Sequence, residues 1–230
     1  TQSFNQSRKY DDNISAIETL ITLVKENRKA TPDEKAILSN YVGFGGLKDI
    51  VLNPESTEGW KESNLKYRDQ VKRINELASE FDQLTGSTDT LSKIKGSILN
   101  AHFTSSSVIR SIYDGIQKLG FKGGRMLEPS AGIGNFITYA PERIKANSSI
   151  TAVELDNLTG NILKYLHDDV NVKVSGIQDA QIPNNSQDLV ISNVPFGNYK
   201  IFDKSFKGEK AEFQNRIHNY FFAKAIDMAR

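Results

Sequence analysis

The chain of 230 residues contains no cysteine. Disulfides and thiolate metal sites are therefore excluded. Its three histidines, His102, His167 and His218, show no metal-ligand spacing and are expected on the surface or in packing, so no metal is expected. No apolar stretch reaches the length of a membrane span, and the first residues carry no signal-peptide pattern. The expected home is the cytoplasm, with no membrane partner. Charge of one sign is also missing. Lysine and arginine number 29 against 28 acids, a net charge of +1. A surface that is basic throughout is excluded, and any nucleic-acid contact must be local. No internal repeat or low-complexity tail is found. With 38% hydrophobic and 25% charged residues, the chain reads as an ordinary globular protein of one large or two small domains.

The first hundred residues read as helical. "SAIETLITLVKEN" places Ile17, Leu20, Ile21 and Val24 at helical spacing. In "TPDEKAILSNYVGFGG", Thr31 is a candidate N-cap, Pro32 takes the first helical position and Glu34 completes a capping box. Gly43, Gly45 and Gly46 resemble a phosphate-cradling loop, but no strand precedes them and no "GK[ST]" follows. A helix end followed by a turn is the better reading. "NLKYRDQVKRINELASEFDQL" carries Val71, Ile74, Leu77, Ala78 and Phe81 on one face. Another helix is expected from Ser87.

From about residue 101 the pattern becomes strand and helix in alternation. "RMLE", "ITAVE", "VNVKVSG" and "DLVISN" read as strands. "SSVIRSIYDGIQKLG", "NFITYAPERI", "LTGNILKYLH" and the final amphipathic stretch read as helices; the last, Phe213–Met228, is expected to cover one sheet face through Ile217, Phe221, Ala225 and Met228. The expected fold is α/β, a Rossmann-like doubly wound parallel sheet of about four strands preceded by a helical N-terminal region. Residues 1–100 would form that region and 101–230 the sheet domain.

Chemistry is expected at the carboxyl ends of the strands, where open α/β sheets place it. The first strand runs into "LEPSAGIGNF". Gly132 and Gly134 there permit a tight turn and a close ligand approach. The dinucleotide fingerprint wants a third glycine where Ile137 stands, and Glu128, with Pro129 beside it, would repel a pyrophosphate. These residues suit a ligand carrying positive charge. The second strand ends in "VELD", with Glu154 at the distance downstream where an acid reaches a ribose diol. The third leads to Gln178 and Asp179, and the fourth to "SNVPF".

"LEPSAGIGNF", "AVELD" and "SNVPF", in this order and spacing, resemble the class I S-adenosylmethionine-dependent DNA adenine-N6 methyltransferases. The resemblance covers about residues 100–230. "AHFTSSSVI" resembles that family's N-terminal "F-T-P" element beside the methionine end of the cofactor, with Ser105 in place of the proline. "YVGFGGL" and "NVPFG" together look most like methylase regions of large mobile-element proteins in which a helicase follows. The resemblance implies S-adenosylmethionine as cofactor and DNA, through a flipped adenine, as partner.

It also implies roles for individual residues. Asn193 and the Pro195 carbonyl would accept hydrogens from the target amine, and Phe196 would stack on the base. Glu154 would take the ribose hydroxyls, and Glu128 would sit near the methionine ammonium. Asp179 or Gln178 would meet the cofactor adenine. Phe103, Thr104, Ala131, Phe136 and Leu155 would line the site; for Phe103 and Phe136, core packing is an equal reading. The family "NPPY" departs here at Val194 and Phe196. RNA bases, glutamine amides and a non-catalytic binding module remain open alternatives. Further domains are expected, because the family sheet has seven strands. The fourth strand, through Ile191, is expected to present an open edge.

Overall fold

The structure, a computed structural model, describes residues 5–53, 58, 62–100 and 104–230. The chain divides into two units, residues 1–102 and 103–230. In the first, helix α1 spans Gln6–Glu26 and is capped by Asn5, whose side chain accepts the Arg8 N–H. Helix α2, Pro32–Leu38, begins with the expected capping box. The Thr31 hydroxyl accepts the Glu34 N–H at 3.3 Å, and the Glu34 carboxylate accepts the Thr31 N–H at 2.8 Å. Such a cap is worth about 1 kcal/mol.

The glycines after α2 hold a turn. Gly43 and Gly46 have φ of 66° and 80°, and the turn's carbonyls face α1. Asn13 Nδ2 donates to the Gly43 carbonyl at 2.8 Å and Lys9 Nζ to the Gly45 carbonyl at 2.6 Å. The Asn13 side-chain oxygen accepts the Val42 N–H, which satisfies this fully buried amide at both ends. Helix α3, Lys48–Val51, follows, and later a 3-10 turn, Glu62–Tyr67. Helix α4, Arg68–Thr85, buries Val71, Ile74, Leu77, Ala78 and Phe81, the five residues of its apolar stripe. Helix α5 covers Thr90–Asn100. It starts three residues past the Ser87 expected from sequence. The Ser87 hydroxyl bonds the Asp89 carboxylate instead, and Thr90 ties to Asp82 on α4 at 2.6 Å.

The second unit opens with α6, Ser106–Lys118, and strand β1, Arg125–Glu128. Two short helices follow, α7 at Asn135–Thr138 and α8 at Glu142–Ala146, divided near Pro141. Strand β2 is Ser149–Glu154, α9 is Asn157–Leu166 and β3 is Asn171–Val174. Strand β4 is Leu189–Val190; a 3-10 segment, Gly208–Asn215, leads to α10, Ile217–Met228.

The four strands are all parallel, in the order β3-β2-β1-β4. Side chains alternate faces along a strand. Met126, Ile150 and Ala152 accordingly join a core with Ile109, Tyr113, Phe136 and Leu163. Leu127 and Val153 join another with Ile177, Tyr220, Phe221 and Met228. Both faces are covered, which is why the adjacent Met126 and Leu127 of β1 are both apolar and both buried. The α/β doubly wound parallel sheet is thus the observed architecture. Among the described residues, no helix is long and apolar enough to cross a membrane.

Two expectations need correction. Strand β4 is shorter than "DLVISN": at its start the Asp188 side chain accepts the Arg125 N–H at 2.7 Å and is also taken by Arg230, and past its end the Ser192 hydroxyl turns to the Ser130 carbonyl at 3.2 Å. Helix α10 begins at Ile217, and its buried face includes Tyr220 and Lys224, whereas Ala225 is half-buried. Just ahead of β4 the chain returns after α10, with Ala229 bridging Gln187 in parallel and the Arg230 N–H donating to the Gln187 carbonyl at 2.9 Å.

Candidate functional site

Parallel strands place all their carboxyl ends at one edge of the sheet. There β1 delivers Glu128, β2 delivers Glu154, and the turn after β4 delivers Asn193 and Phe196. The loop from Pro129 to Gly134 is pinned to β2, since the Ala131 N–H donates to the Val153 carbonyl at 2.9 Å. It is pinned to the β4 end as well, by the Ser192 hydroxyl donating to the Ser130 carbonyl at 3.2 Å.

Glu154 holds the middle of this arrangement. One carboxylate oxygen accepts the Gly132 N–H at 2.7 Å and the other the Asp156 N–H at 2.8 Å. Burial, opposed by these hydrogen bonds, raises its pKa to about 7. Gly132 adopts φ 57°, in the left-handed region. Gly134, at φ 84°, has a different reason for being glycine. A Cβ there would lie 2.6 Å from Leu163 Cδ1 and 2.8 Å from His167 Nε2, so this glycine admits α9.

Glu128 is 2% exposed, and its Oε2 has no hydrogen-bond partner among the described residues. Burial first, and the Glu154 carboxylate second, hold its pKa well above the usual range, against the Phe136 N–H that bonds it. A buried carboxyl oxygen without a partner is rare in folded proteins and calls for an explanation.

The remaining expected residues are distributed as follows. Phe103 lies outside the described residues, and Thr104 is half-buried just before α6. Phe136 is packed in the core, with its carbonyl accepting the Tyr113 hydroxyl at 2.9 Å. Leu155 stands 62% exposed beside Glu154. Past β3, Gln178 is half-buried and Asp179 exposed; Gln178 Nε2 donates to the Asp179 carboxylate at 3.0 Å, so the two act as one unit. Asn193 and Pro195 are half-buried, and Phe196 is 60% exposed. Val194 packs into the core cluster around Leu127 and Val153.

Sequence reading missed two features. Ser192 binds the β1 loop, and two isolated serines carry no signal for that. Asp203 is buried with Lys224 at 2.8 Å, Tyr220 at 2.7 Å and Ser205 at 2.6 Å. Despite burial, these bonds hold its pKa down at about 2. The signal available was a lysine on the apolar stripe of α10. Among the described residues there is no acid or histidine cluster able to hold a metal ion.

The fold and site together define a parallel α/β edge whose glycine loop is backed by buried Glu128 and half-buried Glu154. Against known proteins, the chain is 28% identical over 192 residues to "Defense against restriction protein B" of Escherichia phage P1. That match takes in 77% of this chain and 8% of the phage protein, so the chain spans a small part of that relative. Among solved structures, a class I S-adenosylmethionine-dependent methyltransferase of Listeria monocytogenes is similar at 14% identity and TM-score 0.43, over 97% of this chain and 71% of that one. A type I restriction-modification methyltransferase subunit of Streptococcus thermophilus is similar at 11% identity and TM-score 0.48, over 98% of this chain and 66% of that one. No family model matches the chain.

Proposed function

We propose that residues 101–230 form a methyltransferase core that binds S-adenosylmethionine, and that the protein methylates the N6 amine of adenine in DNA. The observation that carries this is the shared strand edge: buried Glu128 and half-buried Glu154 beside a glycine loop, with an amide, a proline and an exposed aromatic ring after β4. The residues fit the cofactor. Glu128 Oε2 is an orphaned buried acceptor suited to an ammonium group. A carboxylate has about four lone-pair positions, and the Gly132 and Asp156 bonds to Glu154 leave room for a ribose hydroxyl. Leu155, exposed beside it, offers an apolar face to a base.

When bound, S-adenosylmethionine supplies a methyl group activated by its sulfonium. The chain's part is to prepare the nucleophile. The adenine amine lone pair is delocalised into the ring. Asn193, through its side-chain oxygen, and the Pro195 carbonyl would accept the amine hydrogens and draw the nitrogen toward a tetrahedral arrangement. Phe196 would hold the extruded base by stacking. The likeness to a phage protein named for defence against restriction supports DNA as the polymer. Residues 1–100 would be an accessory helical region, and a helicase in the same full-length chain would fit the sequence resemblance.

The test is transfer of tritium from labelled cofactor to unmethylated DNA by the full-length protein, followed by nucleoside digestion. N6-methyladenine is the expected product. Label appearing only in RNA or in protein glutamine would overturn the substrate assignment. Cofactor binding without transfer to any acceptor would make the chain a binding module.

A further inference from the structure

Residues 196–207, FGNYKIFDKSFK, follow the proposed catalytic turn, and the reaction above uses only the first of them. Their side chains are sorted by depth. Asp203 and Phe206 turn inward, each 4% exposed. Asp203 is held by Lys224 and Tyr220, and the Phe206 ring packs at 5.0 Å from the Tyr220 ring. The backbone is anchored too, by the Ile201 N–H donating to the Gln214 carbonyl at 3.1 Å and the Asp203 N–H to the Gln214 side chain at 2.6 Å. What remains outside is Tyr199 at 44% and Phe202 at 77%, with Lys200, Lys204 and Lys207 all exposed.

This placement is unusual in two respects. Among the described residues, every exposed large aromatic lies between Phe196 and Phe222. Exposed aromatic rings are the informative departure from ordinary burial. Within 196–207 the sole acid is Asp203, and it is turned inward and neutralised by Lys224. The three outward lysines therefore face solvent with no acid of the segment beside them. Lys210, just beyond, is already paired with Asp227 at 2.6 Å.

We propose that this segment is a docking strip for the DNA strand that flanks the target base. Phe202 stacks on a base, with Tyr199 as a second platform, and Lys200, Lys204 and Lys207 hold phosphates. Aromatic rings interleaved with lysines on a fixed backbone match what a single strand offers, a π face and a charge at every nucleotide. Phe202 is six residues from Phe196, a reach of at most about 20 Å, which keeps the strip within a few nucleotides of the base pocket. The inward anchors make the display rigid, so little ordering cost falls on binding. The inference rests on the DNA reading above and adds to it a contact outside the base pocket.

The experiment measures binding of the chain to a labelled single-stranded DNA 20-mer by fluorescence anisotropy over a series of salt concentrations. Phe202→Ala is expected to weaken binding about tenfold at every salt concentration. The double variant Lys204→Gln/Lys207→Gln is expected to lower the slope of log affinity against log salt by about 1.4. A control pair on other elements, Lys118→Gln/Lys164→Gln, is expected to leave both readouts unchanged. Melting temperature and binding of S-adenosylhomocysteine, measured on each variant, report whether the fold and the cofactor site are intact. Unchanged DNA affinity in the strip variants, equal losses in the control, absence of DNA binding by the parent chain, or tighter binding of the matching RNA would each overturn the strip. Failure of the cofactor arm alone would instead count against the methyltransferase reading.

Discussion

Glu154 accepts the Gly132 N–H at 2.7 Å, so the acid that ends β2 also shapes the glycine loop that follows β1. One carboxylate therefore does two things. It fixes the loop path and, with its remaining lone pairs, presents acceptors at the same edge. A substitution there should be read in both terms.

Glu154→Ala is expected to weaken binding of S-adenosylmethionine or its demethylated product by about 1.5–3 kcal/mol, the value of a charge-assisted hydrogen bond. Calorimetry on the chain measures it, with melting temperature confirming that the variant folds. Unchanged affinity in a folded Glu154→Ala variant would remove Glu154 from the cofactor site.

The raised pKa of Glu154 gives pH dependences of opposite sign for stability and for binding. Its pKa is about 7 in the folded chain against the usual 4.5. The folded state thus binds this proton more tightly than the unfolded one. Its contribution to stability is fully present below 4.5 and is lost as pH rises through about 7, up to about 3 kcal/mol in all. Hydroxyl donors of a ribose favour the ionised form, so cofactor affinity is expected to rise over the same interval. Melting curves from pH 5 to 8 and calorimetry at each pH should show the two trends, and Glu154→Gln should flatten both.

Glu128 should titrate on cofactor binding. In the free chain its pKa is held well above the ordinary range by burial and by Glu154. A cationic ligand beside it favours ionisation, so binding should release a proton. The observable is a calorimetric enthalpy that varies with the ionisation enthalpy of the buffer. Glu128→Gln, which resembles the protonated acid in shape, is expected to fold at least as well and to lose most of the proton release.

How much of this was legible in the sequence depends on the period of the signal. The stripe on α4 and the "RMLE" strand show in the letters because burial there repeats at 3.6 residues or fills both sheet faces. The capping box was legible because its partners are three residues apart. The order of strand ends gave Glu128, Glu154 and Asn193 one edge. Other features depend on distant residues. The second carboxylate bond of Asp188 joins positions 42 apart, and the Ser192–Ser130 contact spans 62. Neither leaves a local pattern. The inward Lys224 reads as a break in an apolar stripe until Asp203 is seen opposite it.

Asn193→Ala in the full-length protein is expected to abolish methyl transfer and leave cofactor binding nearly intact. Asn193 stands on the turn after β4, whereas the two acids stand on β1 and β2. Phe196→Ala should mainly raise the DNA concentration needed for half-maximal rate, since one stacked base is worth about 1–3 kcal/mol. Tritium transfer measures both. Robust activity in the Asn193→Ala enzyme would sink the catalytic role of this turn.

Asp203 and Lys224 form a buried ion pair, 5% and 11% exposed at their side chains, and breaking it from one side should be costly. Asp203→Asn leaves the Lys224 ammonium buried at 5.5 Å from the Phe206 ring without its counter-charge. Loss of one partner of such a pair costs about 3–5 kcal/mol, a large part of the 5–15 kcal/mol that holds an ordinary domain. The double variant Asp203→Asn/Lys224→Met removes both charges and is expected to recover most of that loss, because a methionine fills the same channel beside Phe206 and Tyr220. The pH sign is the reverse of that at Glu154. The Asp203 pKa, lowered to about 2, gives stability that is present above 3.8 and lost as pH falls through about 2. Chemical denaturation of the single and double variants at pH 7 decides the matter. A single variant as stable as the parent would mean that this pair does not anchor the segment between the catalytic turn and α10.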